Sequence, residues 1–144
     1  MHIRQNTAGL NALVHDPQDG PKERVYRIGD LAREFNITLR TLRFYEDRGL
    51  LVPARSGSTR LYSQENRQRL KLILLAKRLG FSLADIECIL TVNDQENLTK
   101  ESLQKLLTKF RGQTSVLDAQ RAEIDQAIGE LAETIEYLEA QLRA

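Results

Sequence analysis

The chain has 144 residues, with 21 Lys and Arg against 20 Asp and Glu, for a formal net charge of +1. That length allows one domain, or one small domain with an extension, and the 41% hydrophobic and 28% charged content argues against wholesale disorder. One cysteine, Cys88, excludes an intrachain disulfide framework and a Cys-rich zinc or iron–sulfur centre within one chain, and two histidines, His2 and His15, both in the first fifteen residues, leave a His-based metalloenzyme almost nothing to work with.

Residues 1–24 hold Pro, Gly, Asn and Asp without a sustained period and read as a flexible N-terminal arm. From Tyr26 the pattern tightens. Ile28–Phe35 reads as a short helix burying Leu31, Ala32 and Phe35, broken by Asn36-Ile37-Thr38. Thr38 can cap a second helix, Leu39–Arg48, whose Leu42 and Tyr45 face inward, and Gly49 stands in the usual C-terminal position. Two short helices joined by a tight turn, with Arg on the second, make a helix-turn-helix pattern.

Leu50–Arg55 and Thr59–Tyr62 flank a Ser56-Gly57-Ser58 tip and read as a small hairpin. Ser63 caps a third helix, about Gln64 to Leu79, with Leu70, Ile73, Leu74 and Ala76 as its apolar set and Gly80 as its stop. Ser82-Leu83-Ala84-Asp85 resembles a capping box opening a fourth helix with Ile86, Ile89 and Leu90. Val92 to Asn97 reads as a polar linker.

From Thr99 the chain changes character, with no Pro and only Gly112 and Gly129. Phe110, Leu117, Ile124, Leu131 and Leu138 recur every seven residues, and Leu107, Thr114, Arg121, Ile128, Ile135 and Leu142 form a second series three residues earlier. This is a coiled-coil seam, weakest where Thr114 and Arg121 interrupt it. A single helix cannot bury its own stripe. Either it pairs with a second chain or it folds back as a helical hairpin broken near Gly112; the first reading is favoured. The dimerisation residues are then Leu107, Phe110, Leu117, Ile124, Ile128, Leu131, Ile135 and Leu138.

Charge divides the same way. Residues 1–92 carry 15 Lys and Arg against 10 Asp and Glu, whereas 93–144 carry 6 against 10. Within 27–78 the ratio is 12 to 5, and ten of the twelve basic residues are Arg. Arg offers planar bidentate donors suited to phosphate and to guanine edges. A basic block beside an acidic one points to a nucleic-acid-binding part joined to something else.

The ordered set Tyr26-Arg27-Ile28-Gly29-Asp30-Leu31-Ala32, Thr41-Leu42-Arg43-Phe44-Tyr45-Glu46, Gly49-Leu50-Leu51-x-Pro53-x-Arg55, Arg60-Leu61-Tyr62, Arg67-x-x-Leu70 and Gly80-Phe81-Ser82-Leu83 resembles the MerR family of bacterial transcription regulators. Within it, the short wing and the Gly80-Phe81-Ser82-Leu83 helix pair look most like the branch controlling leucine and isovalerate catabolism. The resemblance implies a mainly α fold: a winged helix-turn-helix over 25–92, then a linker and coiled-coil dimerisation helix over 93–144. It implies a homodimer through antiparallel long helices, bound to near-palindromic double-stranded promoter DNA. Such regulators bend and untwist that DNA so that RNA polymerase can align both promoter elements, and some simply repress.

Spacing and chemistry name the candidate contacts. Arg40 and Arg43 share a face of the second helix and suit base edges or phosphates in the major groove. Thr38 and Thr41 can offer hydroxyls to phosphates near that helix's N-terminus. Arg55 and Arg60 flank the wing tip, and Tyr62 can add a phenolic hydrogen bond. The resemblance adds Lys77 toward the flanking backbone, Phe44 as an apolar contact, and Arg67 as a weaker candidate. Tyr45 reads as core, and Arg48, Arg67 and Arg69 read as a solvated face.

The chain departs from metal-sensing members in its shorter wing, in Thr59 where they often have Tyr, and in an arm without counterpart. Thr99–Leu103 holds no cysteine where those members place one, and Cys88 has no local Cys or His partner. Cys88 therefore reads as a small, partly buried residue, and no metal or cofactor is expected; a small ligand could still bind between the coil and the DNA-binding lobe, but no residue identifies it. With no nucleophile–base–acid set, an enzyme is not expected. The N-terminus lacks a signal-peptide pattern and no apolar run approaches the ~20 residues of a membrane span, so the expectation is a cytoplasmic, nucleoid-associated protein. An architectural or DNA-segregation protein using the coil as an arm is the alternative.

Overall fold

The computed structural model describes residues 21, 23–95 and 98–144. The expected arm lies outside them except for Pro21, Glu23 and Arg24. In chain order the elements are β1 (Val25–Arg27), α1 (Ile28–Phe35), α2 (Leu39–Asp47), β2 (Ala54–Ser56), β3 (Thr59–Ser63), α3 (Gln64–Arg78), α4 (Leu83–Asn93) and α5 (Lys100–Arg143). Two compact units divide between Leu103 and Gln104.

In the first unit each helix starts where a side chain satisfies an orphan backbone donor. The Thr38, Ser63 and Ser82 hydroxyls accept from the N–H groups of Thr41, Asn66 and Asp85 at 3.1, 3.1 and 3.2 Å. α1 begins differently: the Asp30 carboxylate accepts the Arg27 N–H at 2.9 Å. α1 ends on Asn36 at φ 52°, and the Ile37 N–H returns to the Ala32 carbonyl at 3.0 Å. Asn tolerates this left-handed conformation better than most residues, because its short amide compensates locally. The tight turn it makes packs α2 across α1.

The hairpin pairs Ser56 with Thr59, leaving Gly57 and Ser58 as a two-residue turn. Gly57 has φ +64°, a conformation that glycine adopts without steric cost. A third strand joins it. β1 pairs antiparallel with β3, Tyr26 opposite Tyr62, giving the order β1-β3-β2. Sequence reading missed β1, since three residues carry no usable alternation and the partner is 36 residues distant.

The core closes over Leu31, Leu42, Leu51, Tyr62, Leu70, Leu72, Ile73, Ile89 and Leu90, all essentially inaccessible. α3 packs on both β3 and α4. It therefore buries Leu72 and Arg67 as well as Leu70, Ile73 and Ala76, while Leu74 is only half-buried. Val92, expected in a polar linker, is buried in the last turn of α4.

α5 is one continuous helix of 44 residues, ~66 Å long at 1.5 Å per residue. This overturns the helical-hairpin alternative: Gly112 lies within the helix, with nothing within 4 Å of where a Cβ would sit. Leu106 is the only fully buried side chain of α5. Leu107, Leu117, Ile124, Ile128, Leu131, Ile135 and Leu138 are all at least 40% exposed in the single chain, and Phe110 is half-buried. Among the described residues no helix is long and apolar enough to cross a membrane.

Candidate nucleic-acid interface

α2 is amphipathic because Leu42 and Tyr45 at i, i+3 anchor one side in the core. Arg40, Arg43, Phe44 and Asp47 are consequently exposed. Arg40 and Arg43 have no acidic partner among the described residues, so their guanidinium groups remain available. Tyr45 is buried, as its spacing requires. Phe44 is 44% exposed, and the Arg48 guanidinium stacks over its ring at 5.1 Å.

At the N-terminus of α2 the Thr38 and Thr41 hydroxyls lie 3.0 Å apart. One donates to the other, which leaves one hydroxyl proton for an outside acceptor, beside the positive end of the helix dipole. Thr38 thus caps the helix, and the pair together keeps one donor free.

The wing leans on α2 through one carboxylate. Glu46 accepts Arg60 Nε at 2.8 and 3.1 Å, an Arg55 terminal nitrogen at 3.1 Å and the Tyr62 hydroxyl at 3.4 Å. Arg55 is half-exposed and Arg60 less so. The structure corrects the expected phosphate contact from Tyr62: its side chain is fully buried and its hydroxyl already donates to Glu46. Burial first, then the Glu46 charge, pushes its pKa from 10.0 up to about 12. The folded state therefore favours neutral Tyr62, a preference present below pH 10 and lost as pH rises through about 12. In an ultraviolet titration, the phenolate signal that Tyr62→Phe removes is expected near pH 12 rather than 10. Its appearance at the ordinary value would place the hydroxyl in solvent.

The basic residues expected on a solvated face separate in the structure. Arg48 is exposed. Arg69 is half-buried, donating to the Leu50 carbonyl and pairing with Asp94. Arg67 is 4% exposed and pairs with Glu34, with its guanidinium 5.7 Å from the Tyr26 ring and 5.6 Å from that of Phe35. Neither a solvated face nor a weak DNA contact describes Arg67; it is a core arginine. Its signal was the match of a basic residue to the i, i+3 series leading to Leu70 and Ile73, which hydropathy alone discounts. Lys77 is exposed at the end of α3, without an acidic partner among the described residues. Cys88 is half-buried on α4. Among the described residues no cluster of His, Cys, Asp and Glu is placed to hold a metal ion.

Two family models match the chain: a MerR helix-turn-helix regulatory protein model over residues 26–92 and a MerR DNA-binding model over 67–141. An HTH-type transcriptional regulator from Haemophilus influenzae, described as a ZntR homolog, is 34% identical over 85 residues, 58% of this chain and 63% of that protein. A MerR-family transcriptional regulator from Bacillus cereus has a similar structure, with TM-score 0.65 and 28% identity over 76% of this chain and 79% of the other. HiNmlR, a MerR family regulator lacking the sensor domain and bound to promoter DNA, matches with TM-score 0.57 and 28% identity over 73% of this chain and 79% of that one. The chain spans less than two thirds of the length of the curated relatives it matches.

Proposed function

The chain belongs to the MerR family of helix-turn-helix regulators, and from that membership we propose that it is a sequence-specific DNA-binding transcription regulator working as a homodimer. The observation that carries this is the exposed, unpaired Arg40–Arg43 face of α2 with the arginine-bearing wing beside it. α2 enters the major groove with Arg40 and Arg43 toward base edges, while Thr38, Thr41, Phe44 and Lys77 meet the backbone. Arg55 and Arg60 bring the wing to the flanking phosphates. Phosphate contacts set register and affinity, and base contacts set sequence.

The exposed seam of α5 supports pairing with a second copy, placing two recognition helices on a near-palindromic operator. Antiparallel pairing, the boundary near residue 92 and an action on RNA polymerase through distorted DNA, or by repression, belong to the same proposal. So do its placement on the nucleoid in the cytoplasm and its role as a binding protein rather than an enzyme. The promoter complex of HiNmlR supports the reading by similarity.

Selection of bound duplexes from a random library tests it directly. A single near-palindromic site is expected; uniform, salt-sensitive binding without a site would instead indicate an architectural protein. On the selected site, Arg43→Ala is expected to cost ~1–3 kcal/mol if Arg43 reads a base pair, relaxing sequence preference at one position per half-site. Unchanged affinity and preference would remove Arg43 from the interface.

A further inference from the structure

The wing carries an electrostatic conflict. Arg55 and Arg60 are direct cross-strand partners of β2 and β3. Like charges directly opposite each other on a hairpin repel and destabilise it. A two-residue turn and three paired positions provide little to oppose that. The relief comes from outside the hairpin, in the last turn of α2, where Glu46 accepts from both arginines and from Tyr62.

The manner of pairing matters as much as its charge. Arg60 meets Glu46 only through Nε, and Arg55 through one terminal nitrogen. Both terminal nitrogens of Arg60 thus remain without a partner among the described residues. Glu46 holds one edge of the guanidinium and leaves the opposite fork for another oxyanion. Its side chain is only 15% exposed, so the carboxylate is shielded by the groups it holds. It also stands one residue after Tyr45, which anchors α2 in the core, so its position is inherited from the same packing that orients the recognition helix.

We propose that Glu46 is a positioning residue for DNA recognition: it sets the wing arginines at a defined place relative to α2 and directs their free donor edges to the phosphate backbone. The inference rests on the DNA-binding reading above. It runs against simple electrostatics, since removing a carboxylate beside a polyanion should strengthen binding at every sequence.

That opposition of sign makes the test decisive. The full chain and its Glu46→Gln variant are titrated against the selected operator and a scrambled duplex by fluorescence anisotropy, across a salt series. Glu46→Gln is expected to weaken operator binding about tenfold or more, while scrambled-duplex binding stays level or rises, so that the specificity ratio falls. Glu46→Asp, which keeps the charge on a shorter stem, should recover part of the ratio. In an Arg60→Ala background Glu46→Gln should cost little further, because the two act through one contact. Operator binding that tightens in Glu46→Gln, or losses that simply add in the double variant, would overturn the proposal. If wild type shows no operator preference, the sequence-specific reading fails on its own. The positioning of the wing is then decided by amide exchange, which Glu46→Gln should accelerate in β2 while leaving β1 unchanged; equal protection in both would refute it. Circular dichroism melts exclude a general loss of fold, and if Glu46→Gln does not fold, Glu46→Asp carries the same comparison.

Discussion

Leu131→Asp is expected to abolish dimerisation and, with it, operator binding, although Leu131 lies far along the chain from every DNA-contact candidate. Leu131 sits in the densest part of the α5 seam, between Ile128 and Ile135, and is 61% exposed in the single chain. Pairing with a second copy would bury it. An Asp there would place a charge without a counter-ion in an apolar interface, at a cost of ~3 kcal/mol or more per site, twice in a two-fold dimer. A monomer offers one recognition helix and one wing, and a half-site grip does not hold a palindromic operator. Analytical ultracentrifugation separates the outcomes: a variant still dimeric with operator affinity retained would refute the α5 seam as the interface. The first unit should keep its fold throughout, since its core draws on Leu31, Leu42, Leu70 and Ile73.

Arg67→Ala is expected to destabilise the first unit strongly while leaving the salt dependence of DNA binding unchanged. The side chain is 5% exposed, its guanidinium pairs with Glu34, and it lies against the Tyr26 and Phe35 rings. Truncation removes the stem's packing, the ion pair and both ring contacts. Glu34 is 37% exposed and can be rehydrated, which moderates the loss from the extreme seen for fully buried pairs. A net cost of ~2–4 kcal/mol follows, a fall in Tm of roughly 10–20 °C for a unit of this size. Thermal melts and a salt series of DNA affinity check the two halves. A stable variant with a shallower salt slope would return Arg67 to the backbone contacts.

Much of the protein was legible from residues alone, wherever the signal is local. The bounds of α1 were readable because Asn36 interrupts the periodic run, and those of α2, α3 and α4 because Thr38, Ser63 and Ser82 are good caps. The hairpin tip was readable because a Ser-Gly-Ser sequence suits a turn with positive φ. The heptads of α5 depend only on spacing, and α2's exposed arginines follow from Leu42 and Tyr45 facing inward.

Where residues distant in sequence meet, the tertiary structure decided. β1 exists because Tyr26 finds Tyr62 across β3, a pairing that three residues cannot announce. Arg67 became core because Glu34, Tyr26 and Phe35 converge on it from β1 and α1, turning a nominally solvated cation into a satisfied buried one. Tyr62 left the candidate surface because its strand faces the core and Glu46 takes its hydroxyl. The continuity of α5 through Gly112 was likewise settled by the whole helix, since one glycine costs only ~1 kcal/mol against the hydrogen bonds around it. Sequence determined which segments fold and which faces they expose; the tertiary structure determined which charges are paired, because pairing depends on contacts between segments that no local period encodes.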